Sequence, residues 1–207
     1  MKRDKETKSK LLQSAKAEFM EKGYMNASLR NICKNAGVTT GALYFFFQDK
    51  ADLFQAITKE TIEGIHQLMH KHYNEELQLF GLAMVTDELL EEHNQDMEAA
   101  TEIIHQMYLY RDEVLLLLTK SQGSGLENVA DIFIEESEKH LLVIAKQMQQ
   151  VYPDKVLDEN FIHWLAHMQI DAFIYMITHI KKEEEALIFM KQMMLHMTSG
   201  WYGLFMN

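Results

Sequence analysis

One proline, Pro153, and one cysteine, Cys33, stand in 207 residues, and glycine is held to nine. With so few breakers little in the chain would stop a helix, and leucine, methionine, glutamate, lysine and glutamine fill the intervals. The expectation is an all-α fold. A single cysteine excludes an internal disulfide and fits a reducing compartment. Long apolar runs are missing too: stretches such as Val114 to Leu118 fall far short of the ~20 residues that cross a bilayer. The charged start, MKRDKETKSK, is not followed by the apolar segment of a secretory signal. No membrane partner and a cytoplasmic location are therefore expected. What is plentiful is apolar residue, at 47% of the chain, enough for a substantial core.

Positive charge is scarce overall, with a formal net charge of -11, but it is unevenly placed. Residues 1–50 hold ten Lys/Arg against five Asp/Glu, a balance of +5, which leaves -16 for residues 51–207. A basic head on an acidic body suits a polyanionic partner for the head, since phosphate contacts supply most sequence-independent affinity for a duplex.

The head contains the most informative stretch, SLRNICKNAGVTTGALYFFFQDKADLF, from Ser28 to Phe54. Ser28 is an N-cap candidate, and Leu29, Ile32, Cys33 and Ala36 follow at spacings that draw one apolar stripe along a short helix. Gly37 suits the left-handed conformation that closes a helix, with Val38 as an apolar plug beneath the turn. Thr39 or Thr40 caps a second short helix, on which Leu43 and Phe47 face inward while Thr40, Gly41 and Tyr44 stay outside. Two short helices joined by such a turn form the arrangement whose second helix enters the major groove of DNA.

Ile32, Ala36-Gly37-Val38-Thr39, Gly41, Leu43-Tyr44, Phe47, Lys50 and Leu53-Phe54, preceded by Leu11-Leu12, Ala15, Phe19 and Gly23, closely resemble the N-terminal signature of the TetR/AcrR family of bacterial transcriptional repressors. The resemblance covers roughly the first quarter of the chain. Phe45 stands where the family often has histidine, and Ala51 where it usually has an acidic residue. The resemblance implies a helix-turn-helix DNA-binding domain at 1–50 and a larger helical effector-binding and dimerisation domain at 51–207, about nine helices in all. It implies a homodimeric regulator, not an enzyme and without a cofactor, that binds double-stranded DNA at a pseudo-palindromic operator and is released by a small-molecule effector. Thr39, Thr40 and Gly41 would meet base edges, and Tyr44 and Lys50 phosphates, with Ser28 and Arg30 at the flank.

Periodicity places further helices near Thr7–Lys22, Asp49–Leu77, Leu82–His93, Asp96–Thr119, Leu126–Val151, Leu157–Lys181 and Glu183–Phe205. Ser121 to Gly125 reads as the clearest loop, and Lys181-Lys182 followed by Glu183-Glu184-Glu185 complements the dipoles of the last two helices. The penultimate helix is apolar nearly all round, so Phe161, Trp164 and Leu165 there, with Met190, Met194, Met197 and Trp201 on the last helix, are expected at a dimer interface. Met107, Tyr108, Tyr110, Met168 and Tyr175 would line an adaptable effector pocket.

Other residue patterns admit a second chemistry and are set aside. His163, His167 and Asp171 share one face at i, i+4, i+8, a spacing that binds metals, and His66 and His70 repeat it. The preferred reading is a polar stripe lining the effector pocket or the interface, with no metal. Glu63-x-x-His66 and Glu102-x-x-His105 have the form of di-metal carboxylate bundles, but glutamate and histidine are frequent enough to yield such pairs by chance. Phe45, Phe46 and Phe47 are read as packing rather than as intercalators, and Cys33 as a buried inert thiol.

Overall fold

Few breakers give few interruptions. In the computed structural model the backbone is described for residues 2–83 and 89–206, and side chains for 3–77 and 97–205. Among the described residues there are nine helices and no strand: α1 (Lys2–Asn26), α2 (Leu29–Ala36), α3 (Thr40–Phe46), α4 (Lys50–Ala83), α5 (Leu89–Leu109), α6 (Arg111–Lys120), α7 (Val129–Val151), α8 (Glu159–His179) and α9 (Glu183–Met206). None of these helices is long and apolar enough to cross a membrane. The chain forms two compact units, one of residues 1–63 and 110–129, the other of 64–109 and 130–207.

The first unit is built on the stripe of α1. Leu11, Ala15 and Phe19 are fully buried, as are Ile32 of α2, Leu43 of α3, and Leu53 and Phe54 at the start of α4. Phe19, Tyr24 and Phe54 form an aromatic cluster, with Phe54 edge-on to Phe19 at 5.1 Å and to Tyr24 at 5.2 Å. α6 packs on α1 and buries Val114, Leu116 and Leu117. Lys16 of α1 reaches Glu113 at 2.9 Å and Asp112 at 3.1 Å across that contact. The expected turn at Ser121 to Gly125 is present.

The second unit holds the later part of α4 with α5, α7, α8 and α9. One cluster gathers Ile144, Met148 and Phe205 with Leu77, Tyr152 and Trp201; another gathers Ile134, Ala166 and Ile170 with Phe133 and Leu141. Tyr108 donates its hydroxyl to the Ile180 carbonyl at 2.9 Å, tying α5 to the α8–α9 joint.

Several boundaries differ from expectation. The helix predicted over Asp96–Thr119 is two, because Tyr110 leaves the helical region (φ -112°, ψ 36°) and α6 joins the first unit. No proline or glycine marks that break, which tertiary packing imposes against local propensity. The penultimate helix stops at His179, with Ile180 extended, so Lys181 and Lys182 lie outside it rather than at its last turn, and Lys182 pairs with Glu185 at 3.2 Å. α8 starts behind Asp158, whose carboxylate accepts from the Asn160 and Phe161 amides at 2.9 and 3.2 Å. The helix or two expected between Leu82 and His93 fall partly on 84–88, outside the described residues, and 89–93 belong to α5, which runs on through the boundary expected before Asp96.

Candidate nucleic-acid interface

α2 begins as its sequence dictates. Ser28 is extended (φ -111°, ψ 119°), and its hydroxyl accepts from the Asn31 amide at 3.5 Å. α2 ends at Gly37, which takes the left-handed conformation (φ 68°, ψ 32°) and donates its N–H to the Cys33 and Lys34 carbonyls. Thr39 is again extended and accepts from the Ala42 amide at 3.2 Å, opening α3. Leu43 is fully buried and Phe47 nearly so, which fixes the roll of α3 and turns the other face outward.

The outward face carries Thr39, Thr40, Gly41, Tyr44 and Phe45, all exposed. Tyr44 is 58% and Phe45 77% exposed. The expectation that all three phenylalanines pack therefore holds for Phe47, which is buried, and Phe46, which is half-buried, but fails for Phe45, which projects from the surface edge-on to Phe46 at 4.9 Å. At Gly41 an added Cβ would meet only the Thr39 hydroxyl, at 3.8 Å, so nothing within the chain requires glycine there. Arg30 and Lys34 are exposed on α2, and Arg3, Lys5 and Lys8 on α1.

Lys50 departs from its expected place. Its ammonium donates to the carbonyls of Tyr24 at 2.8 Å, Met25 at 3.1 Å and Ala27 at 3.4 Å, and lies 4.6 Å from the centre of the Tyr24 ring. An ammonium has three protons, and all three are engaged. Lys50 thus ties the start of α4 to the end of α1 and stabilises the carbonyl end of that helix.

Glu18 is a residue that the sequence pattern did not single out. Its buried carboxylate accepts from Lys22 Nζ at 2.8 Å, the Ser28 amide at 3.2 Å and Asn31 Nδ2 at 3.3 Å. Burial alone would raise its pKa; these three donors outweigh burial and hold it below the usual carboxylate range. A glutamate ten residues ahead of an N-cap serine gives no local signal, since the bond forms only once α1 and α2 pack. Ser14 adds a bond from its hydroxyl to the Ile32 carbonyl at 2.9 Å. Cys33 is 3% exposed, and burial pushes its thiol up, away from the reactive thiolate.

The residues expected to line an effector pocket do not form one group. Tyr110 belongs to the first unit and the others to the second. Met107 is buried and Tyr108 holds Ile180. On α8, His163 Nδ1 lies 2.9 Å from Glu138 Oε2, which accepts from it, and the Nε2 atoms of His163 and His167 are 3.2 Å apart. His167 and Met168 are half-buried, whereas Asp171 is exposed and Tyr175, at 51% exposure, stacks on His179.

Among residues expected at a dimer interface, Met190 is fully buried within its own chain and offers nothing to a partner. Trp201 packs 5.5 Å from Phe205 in the second unit's core, half-buried. Trp164 is 53% exposed and stacks on Phe161 at 5.6 Å, and Leu165, Met194 and Met197 are half-buried. The di-metal motifs do not converge: Glu63 pairs with Lys59 and Glu102 with Lys71, while His66 and His105 bond Glu136 and Glu183.

A family model for bacterial regulatory proteins of the tetR family matches residues 11–57, which span α1 to the start of α4. The repressor BepR of Brucella suis is 46% identical over 52 residues, 25% of each chain. The regulator TtgR of Pseudomonas putida is 27% identical over 127 residues, 59% of this chain and 60% of its own, so the match leaves a substantial part of these relatives uncovered. The crystal structure of NalD, the secondary repressor of the MexAB-OprM multidrug efflux pump in Pseudomonas aeruginosa, shares the fold with a TM-score of 0.60 over 94% of this chain and 96% of that one, at 21% identity. A transcriptional regulator of the same family from Aquifex aeolicus gives a TM-score of 0.55 over 96% of this chain and 99% of its own, at 22% identity. The buried inner stripe of the two short helices and their caps lie within residues 11–57, the stretch that is similar to the tetR family of bacterial regulatory proteins.

Proposed function

We propose that the protein is a repressor that binds a pseudo-palindromic operator as a homodimer and is released by a small-molecule effector. The observation that carries the DNA half is the division of α3: Leu43 and Phe47 are buried while Thr39, Thr40, Gly41 and Tyr44 stand exposed along the opposite face. A helix so held presents its N-terminal residues to base edges in the major groove. Thr39 and Thr40 supply hydroxyls that both donate and accept, and Gly41 leaves room for the helix to approach closely. Ser28, Arg30 and Tyr44 face phosphates, and Lys50 supports the scaffold in place of touching DNA.

The homodimer rests on apolar surface left on the last two helices: Trp164 and Tyr175 on α8, Ile188 at 62% and Leu195 at 61% exposure on α9. Exposed side chains this large, four on two consecutive helices, favour a self-complementary interface, and two-fold symmetry sets two recognition helices against two half-sites. For the effector, Met107, Tyr108, His167 and Met168 are candidates within the second unit, without forming one group there. α4 is one continuous helix from Lys50 to Ala83 whose two halves belong to different units, so a ligand that favours one setting of α4 biases the other half through the population of the two states.

The test is a gel shift of DNA upstream of the protein's own gene, titrated with salt. Sequence-selective retardation that weakens steeply with salt is expected; equal affinity for unrelated DNA, or a flat salt response, would overturn the reading.

A further inference from the structure

His66 and His70 sit one turn apart on α4, and Glu136 on α7 comes to meet both. His66 Nε2 lies 2.6 Å and His70 Nε2 3.2 Å from the same atom, Glu136 Oε1. The two rings are edge to face, 4.4 Å between centres, and the three donor atoms fall within 4.8 Å of one another. Glu136 Oε2 is buried and lacks a hydrogen-bond partner. The Phe133 ring, 6.3 Å from His66, stands beside the group, and His70, 52% exposed, opens it to solvent.

We propose that His66, His70 and Glu136 form a binding site for one divalent transition cation of the zinc, nickel and cobalt class. Two imidazole nitrogens and one carboxylate are the donor set that such ions prefer, with remaining positions taken by water. Ligand atoms about 2.1 Å from a zinc ion stand about 3–3.4 Å apart, and the separations from Glu136 Oε1, 2.6 Å to His66 and 3.2 Å to His70, lie within an ångström of that range. A structural hydrogen bond explains one imidazole on the carboxylate. Hydrogen bonds to Oε1 leave the other oxygen buried and unpartnered, whereas a cation held by both imidazoles gives Oε2 a role as second ligand or as acceptor from bound water. His163 and His167 lack a comparable third donor, because Glu138 meets His163 through Nδ1, the ring nitrogen away from His167.

The inference goes beyond the DNA-binding reading, and its readout is independent of DNA. Full-length protein stripped with a chelator is titrated with cobalt(II), followed by ligand-field absorption, and then with zinc in competition. One ion per chain is expected, with binding weakened by about tenfold or more in H70Q and in E136Q and unchanged in the H163Q/H167Q pair. A zinc-induced, chelator-reversible rise in the thermal midpoint of the wild-type chain provides a readout that needs no variant. Absence of that rise together with no cobalt absorption, or binding that survives in H66Q/H70Q and disappears in H163Q/H167Q, would overturn the proposal.

Discussion

Glu18 and Lys50 perform complementary tasks around the same turn of chain. The carboxylate takes the amide of Ser28, and the ammonium takes the last carbonyls of α1. Replacing Glu18 with glutamine removes the charge that Lys22 meets and is expected to cost about 2 kcal/mol at neutral pH, read by urea unfolding. Because the folded carboxyl titrates below its ordinary value of 4.5, its contribution is complete above that pH and is lost as pH falls through the folded value. The stability curves of E18Q and wild type should therefore converge in acid, and a gap that persists there would refute the assignment. At Gly41 the prediction has two opposite signs. Alanine fits the space and removes the helix cost of glycine, so the thermal midpoint should rise, while on the proposed role of α3 the added methyl should lower operator affinity by about tenfold.

On the scale of elements, the turn between α2 and α3 depends on a backbone that L side chains resist. Gly37→Ala would meet no atom within 4 Å, so its whole cost is conformational, about 1–2 kcal/mol by urea unfolding, and Gly37→Asn should cost less. Charge on these elements separates contact from support. Arg30→Ala should lower the salt slope of DNA binding by about one per protomer with little change in stability, whereas Lys50→Ala should lower stability and leave the slope alone. The sequence was most readable here, since caps, a left-handed glycine and a three-and-four stripe are local signals, and Ser28, Gly37, Thr39, Leu43 and Phe47 all behave as their types demand. It was least readable where packing decides. Nothing near Tyr110 announces that the helix breaks, Glu18 acts only across α1 and α2, and the burial of Met190 depends on neighbours far along the chain.

For the molecule as a whole, association is the property that its surface implies. Trp164→Arg places a charge where apolar surface is exposed, and light scattering after size exclusion should find a chain of half the wild-type mass with far-ultraviolet circular dichroism unchanged. A mass unchanged from wild type would remove Trp164 from the proposed interface.

The composition of the first unit also bears on how the chain is made. α1, α2 and α3 leave the ribosome early, yet α6, which covers α1 and joins it through Lys16, is translated only after residue 110. At about 5–20 residues per second, several seconds pass before that partner emerges. Through that interval the nascent head keeps uncovered the part of its apolar surface that α6 will bury, so the head reaches its final packing only once residues 111–120 have joined it.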